Sequence, residues 1–385
     1  MKTGKQSLAN KERPFWVAIS LLDNIGPKRF NKIVDYFGSA KLAWQASDRE
    51  WRKLNWGDKT IQGFLSFRRK FDPYRYLKQL IDDYQPLVWP IIKLDCYYPR
   101  NLLAVDDAPP VLYSRGKMVS DLVVGENGFK SWQLFWSSPV LAVVGTRKAT
   151  IYGRWVAKSL GEDLAREGLV IVSGLALGVD TLAHQSALAV SGKTAAVLGS
   201  GVDVVYPASN RYLYQQILSR GVIFSEFPPG TKPLPGYFPA RNRIIAGLSA
   251  GVLVIEGGIR SGSLITASLA ANQGREVFAV PGNINNPFSS GTNFLIKNGA
   301  KLVTEPDDVL EEFSLTFNKK SNSVGLDSLS DEEKKVIKLL ADQDLTADEI
   351  GSSLSIFASK VGIILTSLEI KGLIINLGLG RWRKK

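Results

Sequence analysis

The sequence holds one cysteine, Cys96, and one histidine, His184. A single cysteine excludes an intramolecular disulfide framework and any zinc site built on two or more cysteines of this chain. A single histidine excludes multi-histidine metal sites such as the paired-histidine helix of zinc proteases. No run approaches the ~18 uninterrupted apolar residues of a membrane span. The stretch Met1 to Pro14 is polar and basic and lacks the apolar core of a secretory signal. With the lone thiol, this leads to the expectation of a cytoplasmic protein without a membrane partner. What is present is ordinary for globular domains: 45% hydrophobic and 22% charged residues, enough to bury sizeable cores. At roughly 100–200 residues per domain, 385 residues suggest two or three domains. Lys and Arg number 48 against 36 Asp and Glu, a net charge of +12. That surplus fits a polyanionic partner, nucleic acid or membrane surface, and it equally fits plain solubility charge.

Four segments differ in pattern. Residues 1–85 read as a helical domain. Leu21 to Lys28 forms a turn, with Gly26 supplying an unusual φ and Pro27 opening a helix. Phe30, Ile33, Val34 and Phe37 follow at helical spacing, and Gly38-Ser39 ends that helix and caps the next. Trp16, Trp44, Trp51 and Trp56 are expected in its core. Residues 86–316 form the second segment. It opens with short strands and turns, and 117–138, with Trp132, Phe135 and Trp136, reads as an irregular surface excursion. From Val140 to Phe313 apolar runs of strand length alternate with helical patterns: Val140–Val144, Leu169–Val172, Thr194–Leu198, Val222–Ser225, Val252–Ile255 and Val277–Val280. Such alternation predicts an α/β fold, a Rossmann-like, doubly wound, mostly parallel sheet covered on both faces. Residues 317–329 read as a polar linker. Residues 330–385 read as three helices (Asp331–Leu340, Thr346–Leu354, Ala358–Lys371) and a terminal hairpin, the layout of a winged helix. Thr346 to Glu349 has the form of a capping box.

Two tempting motifs fail. Ser191-Gly192-Lys193-Thr194 lacks the upstream glycine of a phosphate-binding loop, where Ala187 stands, and it leads from helix to strand, the reverse of the required context. Gly199-Ser200-Gly201 follows a strand without the third glycine of a dinucleotide fingerprint, and Pro207 interrupts. The informative residues follow the strands, because parallel sheets bind ligands at their carboxyl edge. Arg147 and Lys148 follow the first strand of the alternating region and Ser173-Gly174 the second. Arg211 follows the third, and Phe238, Arg241, Asn242 and Arg243 follow the fourth. Ser261-Gly262-Ser263 follows the fifth. Glycine and serine at helix starts expose backbone N–H groups to anions, and arginine forks match phosphate oxygens. Arg241 and Arg243 are expected in a helix first turn, which the dipole disfavours unless an anion compensates. Glu226 and Glu256 also lie on this edge. The sequence leaves open whether they face each other, and no nucleophile–base pair is visible. The edge therefore reads as built to hold phosphates rather than to cleave bonds. His184, four residues after Asp180, reads as a hydrogen-bonded structural residue, and Cys96 as core.

Taken in order, several motifs resemble the DprA/Smf family of bacterial DNA-processing proteins. They are Val144-Gly145-Thr146-Arg147, Ser173-Gly174-Leu175-Ala176 with Asp180 and His184, Tyr206-Pro207 with Asn210, Phe238-Pro239-Ala240-Arg241-Asn242-Arg243, Ser261-Gly262-Ser263-Leu264 and Pro281-Gly282. The resemblance spans about Val140 to Val309. Ile25 to Ser39 is similar to that family's N-terminal SAM-like, helix-hairpin-helix domain, and the C-terminal segment to its winged helix. The resemblance implies a protein without enzymatic activity or cofactor. It implies binding of single-stranded DNA, homodimerisation through the Rossmann-like domain and loading of RecA onto incoming DNA in natural transformation. By motif match Arg147 would contact phosphate, Arg241 to Arg243 would line a basic pocket and Phe238 would stack on a base. Such binding weakens steeply with salt. The alternative is a nucleotide-monophosphate phosphoribohydrolase-like enzyme of the LOG type. Glu256 to Ser263 offers a comparable Gly-Gly loop, but Leu264 to Ala267 lacks the family's glutamate. A weaker reading is a membrane-surface adaptor driven by the basic tail Arg381 to Lys385.

Overall fold

Alternate residues of the central strands, such as Val140–Val144, are buried on opposite faces of one sheet, so each apolar run supplies two cores at once. The computed structural model describes residues 2–22, 24–84, 86–124, 128–315, 329–341, 343–370, 373–378 and 380–384. The chain divides into two units, residues 1–317 and 318–385. The expected linker, apart from residue 329, lies outside the described residues, as do Lys371 and Lys385.

The first unit opens with helices α1 (Lys2–Ser20), α2 (Pro27–Phe37), α3 (Ala40–Gln45), α4 (Asp48–Arg52), α5 (Asp58–Lys70) and α6 (Pro73–Asp82). Gly38 ends α2 at φ 82, the left-handed conformation that glycine adopts without strain, and the Ser39 hydroxyl accepts the Leu42 N–H to start α3. Gly26 departs from expectation. It precedes α2 at φ −75, an ordinary extended conformation, and Pro27 alone sets the helix start. Trp16 and Trp51 are buried, and Trp44 and Trp56 pack half-buried against the same apolar cluster.

Next come β1 (Val88–Ile92), α7 (Arg100–Leu103), β2 (Val111–Arg115), α8 (Lys117–Val124) and α9 (Gly128–Trp136). The alternating region supplies β3 (Val140–Val144), α10 (Ile151–Arg166), β4 (Val170–Ser173), α11 (Val179–Ala189), β5 (Thr194–Val197), α12 (Arg211–Arg220) and β6 (Val222–Ser225). It continues with α13 (Tyr237–Leu248), β7 (Gly251–Val254), α14 (Gly262–Asn272), β8 (Glu276–Ala279), α15 (Ser290–Lys297), β9 (Lys301–Leu302) and α16 (Asp307–Leu310). Among the described residues nine strands form one sheet in the order β1-β2-β6-β5-β4-β3-β7-β8-β9. The β1–β2 and β2–β6 pairs are antiparallel and the rest parallel. The expected doubly wound α/β architecture is what the chain adopts. On one face Val140, Ala142 and Val144 of β3 pack with α13 and α14. On the other, Leu141 and Val143 pack with α10 and α11.

Two expectations fail here. Residues 117–138 are not an irregular surface excursion. They form α8 and α9, and Val119, Trp132 and Phe135 are buried. Trp132 and Trp136 both pack on Phe224 of β6, with ring centres 6.2 and 5.8 Å away. The aromatic residues at i, i+3 and i+4 make an apolar helix face that covers the sheet. Cys96 is exposed rather than core: it lies in the loop after β1, where its thiol meets the Gln6 side chain at 3.2 Å.

The second unit contains α17 (Asp331–Leu339), β10 (Leu345–Thr346), α18 (Ala347–Leu354), α19 (Ala358–Ile370), β11 (Ile374–Gly378) and β12 (Arg381–Lys384). Its sheet runs β10-β12-β11. Thr346 and Glu349 form a capping box at α18, and Ser330 and Glu333 form a second at α17. Among the described residues no single helix is long and apolar enough to cross a membrane.

Candidate nucleic-acid interface

The chain after β3 moves outward through β4, β5 and β6, then returns to place β7 on the other side of β3. The carboxyl edge at β3 and β7 is thus the crevice where open parallel sheets bind ligands. A cleft of about 480 Å³ lies there. The Thr146–Arg147 loop, α13 and the start of α14 line it.

The loop is pinned on both sides. The Thr146 N–H donates to the Glu256 carbonyl at 2.7 Å, and the Val179 N–H donates to the Thr146 carbonyl at 3.2 Å. Gly178 reaches this contact at φ 78, and a Cβ there would stand 2.3 Å from the Thr146 oxygen. The exposed Arg147 guanidinium lies 5.7 Å from the centre of the Phe238 ring, and Phe238 meets Tyr206 at 5.4 Å with the rings inclined by 38°. Tyr206 is 45% exposed. Cation and rings together form an open ledge with a π-face and a positive charge.

Opposite it, Ser261 precedes α14 in extended conformation, yet its hydroxyl caps no backbone N–H. It bonds the Ser263 hydroxyl at 2.7 Å instead. Asn242 Nδ2 donates to the Gly262 carbonyl at 3.3 Å and ties α13 to this turn. An uncapped helix start leaves N–H donors and the positive dipole end to an anion in the cleft.

The floor holds two buried ionisable side chains, Arg241 and Asp180. Arg241 is 4% exposed, and its Nη1 donates to the carbonyls of Gly174, at 2.7 Å, and Val197. It thereby clamps the ends of β4 and β5. A Cβ at residue 174 would stand 2.1 Å from that nitrogen, so any side chain there would displace the guanidinium. Burial lowers the Arg241 pKa to about 10, with Asp180 opposing the shift and Arg147 adding to it, so the group stays charged near neutrality. Asp180, also buried, accepts the Gly174 N–H at 3.1 Å, and burial pushes its carboxyl up against the opposing pull of Arg241. His184 is fully buried with Nδ1 2.7 Å from the Thr194 hydroxyl, as expected of a structural residue.

Of the twelve residues singled out in sequence, Arg147, Phe238, Arg241, Asn242, Ser261, Gly262 and Ser263 line the cleft. The other five do not. Arg243 points away: its guanidinium pairs with Glu226 and donates to the Asp107 carbonyl at 2.5 Å. Two positions along an α-helix turn the side chain by about 200°, so Arg241 and Arg243 cannot face one cleft. Nor do they occupy the first turn of α13, which begins at Tyr237. The dipole argument for an anion at that pair therefore lapses. Ser173 is buried with its hydroxyl donating to the Val143 carbonyl at 2.7 Å. Gly174 lies beneath Arg241, while Lys148 and Arg211 are exposed outside the lining. Thr146, Tyr206, Pro239 and Thr266 line the cleft without having been singled out. Tyr206 stands in the Tyr206-Pro207 motif that follows β5 on the same edge, but it was not assigned a binding role. Glu226 and Glu256 do not face each other. Glu256 accepts the Thr150 N–H at 2.9 Å and hydroxyl at 2.5 Å, holding the start of α10, and Glu226 is taken by Arg243.

The chain matches known proteins. The family profile of DNA recombination-mediator protein A matches residues 89–314, from within β1 to just past α16. The chain belongs to the DNA recombination-mediator protein A family. The family is one of recombination mediators and not of enzymes. Among its relatives, the Smf protein of Synechocystis is 37% identical over 305 residues, covering 79% of this chain and 73% of the relative. The DNA processing protein DprA of Streptococcus pneumoniae is 46% identical over 220 residues, 57% of this chain and 72% of that one. The solved structure of the pneumococcal DprA superposes with a TM-score of 0.66 at 35% identity, covering 78% of this chain and 97% of that one. A Helicobacter pylori structure, described for its single-stranded DNA binding mode, gives 0.50 at 29% identity over 59% of this chain and 95% of its own.

Proposed function

We propose that the cleft binds single-stranded DNA and that the chain acts as a mediator passing that strand to RecA in natural transformation. The observation that carries this is the Arg147–Phe238–Tyr206 ledge facing the uncapped start of α14. One side offers a charge and a stacking face, and the other offers backbone donors for phosphate. Single-strand binders of low sequence preference combine these two features. The single-strand binding described for the Helicobacter pylori relative supports the reading. Residues 330–385 we read as a winged helix with a protein-contact role. The exposed side of α19 carries Gly362, Ile363 and Thr366, and Lys360 is paired with Glu332, which leaves little charge for duplex reading. Two chains joined through the Rossmann-like unit would present two clefts to one strand.

Fluorescence anisotropy with labelled oligo-dT tests the cleft. Arg147→Ala is expected to weaken binding and to reduce the slope of log affinity against log salt by about 0.7, one single-strand phosphate contact. Phe238→Ala is expected to cost about 1–3 kcal/mol with the salt slope unchanged, as loss of stacking alone would. Wild-type affinity and slope in both variants would remove the cleft from the function. RecA assembly on the same oligonucleotide should accelerate with the wild-type chain and not with Arg147→Ala.

A further inference from the structure

The positive charge of this chain is not where the cleft is. Residues 1–85 hold 17 Lys and Arg against nine Asp and Glu, +8 of the total +12. Within this bundle one region is densest. Lys28, Arg29 and Lys32 are exposed on α2, and Arg52, Lys53 and Lys59 are exposed around the α4–α5 turn. The two groups adjoin, since the Arg29 guanidinium lies 5.7 Å from the centre of the half-buried Trp56 ring in that turn. Among the described residues none of the six is in an ion pair, whereas Arg68 and Arg69 share Asp48. Exposed like charges held together outside ion pairs destabilise the fold slightly and attract polyanions.

Topology places this face on the edge that carries the cleft. Strand β1 is antiparallel to β2, which is antiparallel to β6, so β1 runs in the direction of the parallel strands. Lys93, the residue after β1, therefore lies on the carboxyl edge. Its ammonium donates to the Asn31 side chain of α2 at 3.4 Å. Five strand steps separate β1 from β3, about 24 Å at the usual spacing. A strand of nucleic acid leaving the Arg147 ledge along this edge would reach α2. We propose that the basic face of α2 and the α4–α5 turn is a second contact surface for the DNA phosphate backbone, continuing the track that starts in the cleft. This rests on the single-strand reading of the cleft.

The test uses the full chain and two labelled oligo-dT lengths, about 6 and about 20 nucleotides, which bracket the usual size of single-strand sites. In the variant Lys28→Gln, Arg29→Gln, Lys32→Gln, affinity for the longer strand should fall at least tenfold at low salt. The salt slope should fall by about 2, three contacts at ~0.7 each. Binding of the short strand should not change. A longer-strand affinity and slope equal to wild type overturns the proposal. So does loss of binding to anionic phosphatidylserine vesicles with long-strand binding intact, which would assign the face to a membrane surface. Arg147→Ala separates the two readings. If it binds the short strand as wild type does, the cleft reading fails, whereas the salt slope of the α2 variant reports on the basic face alone.

Discussion

His184 shows how a single residue can be assigned a proton and a role. The Thr194 hydroxyl donates its only proton to the Ile171 carbonyl at 2.8 Å, so His184 Nδ1 must be the donor in its 2.7 Å bond to that hydroxyl. Nε2 is then a bare lone pair, with no partner among the described residues. Protonating it would put an unpaired cation in a dry core near Arg241, and burial first, then that arginine, lowers its pKa from 6.5 to about 3. The sign follows: the unfolded chain takes up a proton near pH 6.5 and the folded chain does not until about pH 3. Stability from this group is complete above pH 6.5 and is lost as the pH falls toward 3, by at most about 1.4 kcal/mol per pH unit. Urea unfolding of wild type and His184→Asn between pH 7 and 4.5 should show a shallower pH slope in the variant by about one proton. Equal slopes would mean that the folded imidazole is already charged. A structural role for this residue was legible in sequence, because a lone histidine one helical turn after Asp180 faces the same side. The division of labour between Arg241 and Arg243 was not. Adjacency in sequence suggested one shared pocket, and only the helix start at Tyr237, after an eleven-residue loop (226–236) that sequence could not phase, fixes which arginine turns inward.

At the level of elements, strands were readable and one pair of helices was not. Doubly buried strands have no polar face, so runs such as Val140–Val144 announce themselves, and the helices between them follow by length. The α8–α9 pair was misread because it is short and breaks near Gly128, although Trp132, Phe135 and Trp136 carry the i, i+3, i+4 signature. Its packing predicts its weight. Trp132 is 2% exposed, and its indole N–H donates to the Tyr97 carbonyl at 2.9 Å while the ring meets Phe224 edge-on. Trp132→Ala should therefore cost about 3–5 kcal/mol in urea unfolding, the range for a large buried aromatic. The folded protein should still bind oligo-dT as wild type does, because α9 leads into the amino end of β3, opposite the cleft. A cost below about 1 kcal/mol would mean that α9 is not part of the core.

At the scale of the whole molecule, the change of pattern near residue 86 marks a change of secondary structure but not of core. One apolar cluster runs from Ala9, Trp16 and Phe30 of the helical bundle to Leu213, Tyr214 and Ile217 of α12 and Ile223 of β6. The bundle thus covers the sheet face that α10 and α11 leave open. Arg13 of α1 adds a buried ion pair with Asp95 and a bond to the Pro90 carbonyl at 3.1 Å, fastening α1 to β1 and the loop after it. No hydrophobic period in sequence can show this, because period identifies which face of an element is apolar and not which partner covers it. The two ends of the chain should therefore respond differently to truncation. A chain ending at residue 317 keeps every member of the three clusters of the first unit, and it should unfold in one sharp thermal transition and bind oligo-dT through the cleft. A chain beginning at residue 86 exposes Tyr214, Ile217 and Leu218 to water. It should bind a hydrophobic dye, lose the sharp transition and aggregate. Cooperative unfolding of that shorter chain would show instead that the bundle folds and docks as an independent domain. The ion pair gives a milder version of the same test. Asp95→Ala leaves the Arg13 charge buried without its partner, an expected loss of about 3–5 kcal/mol. If bundle and sheet share one core, that loss appears as a single shifted transition by fluorescence and circular dichroism alike. Two separated transitions would divide them.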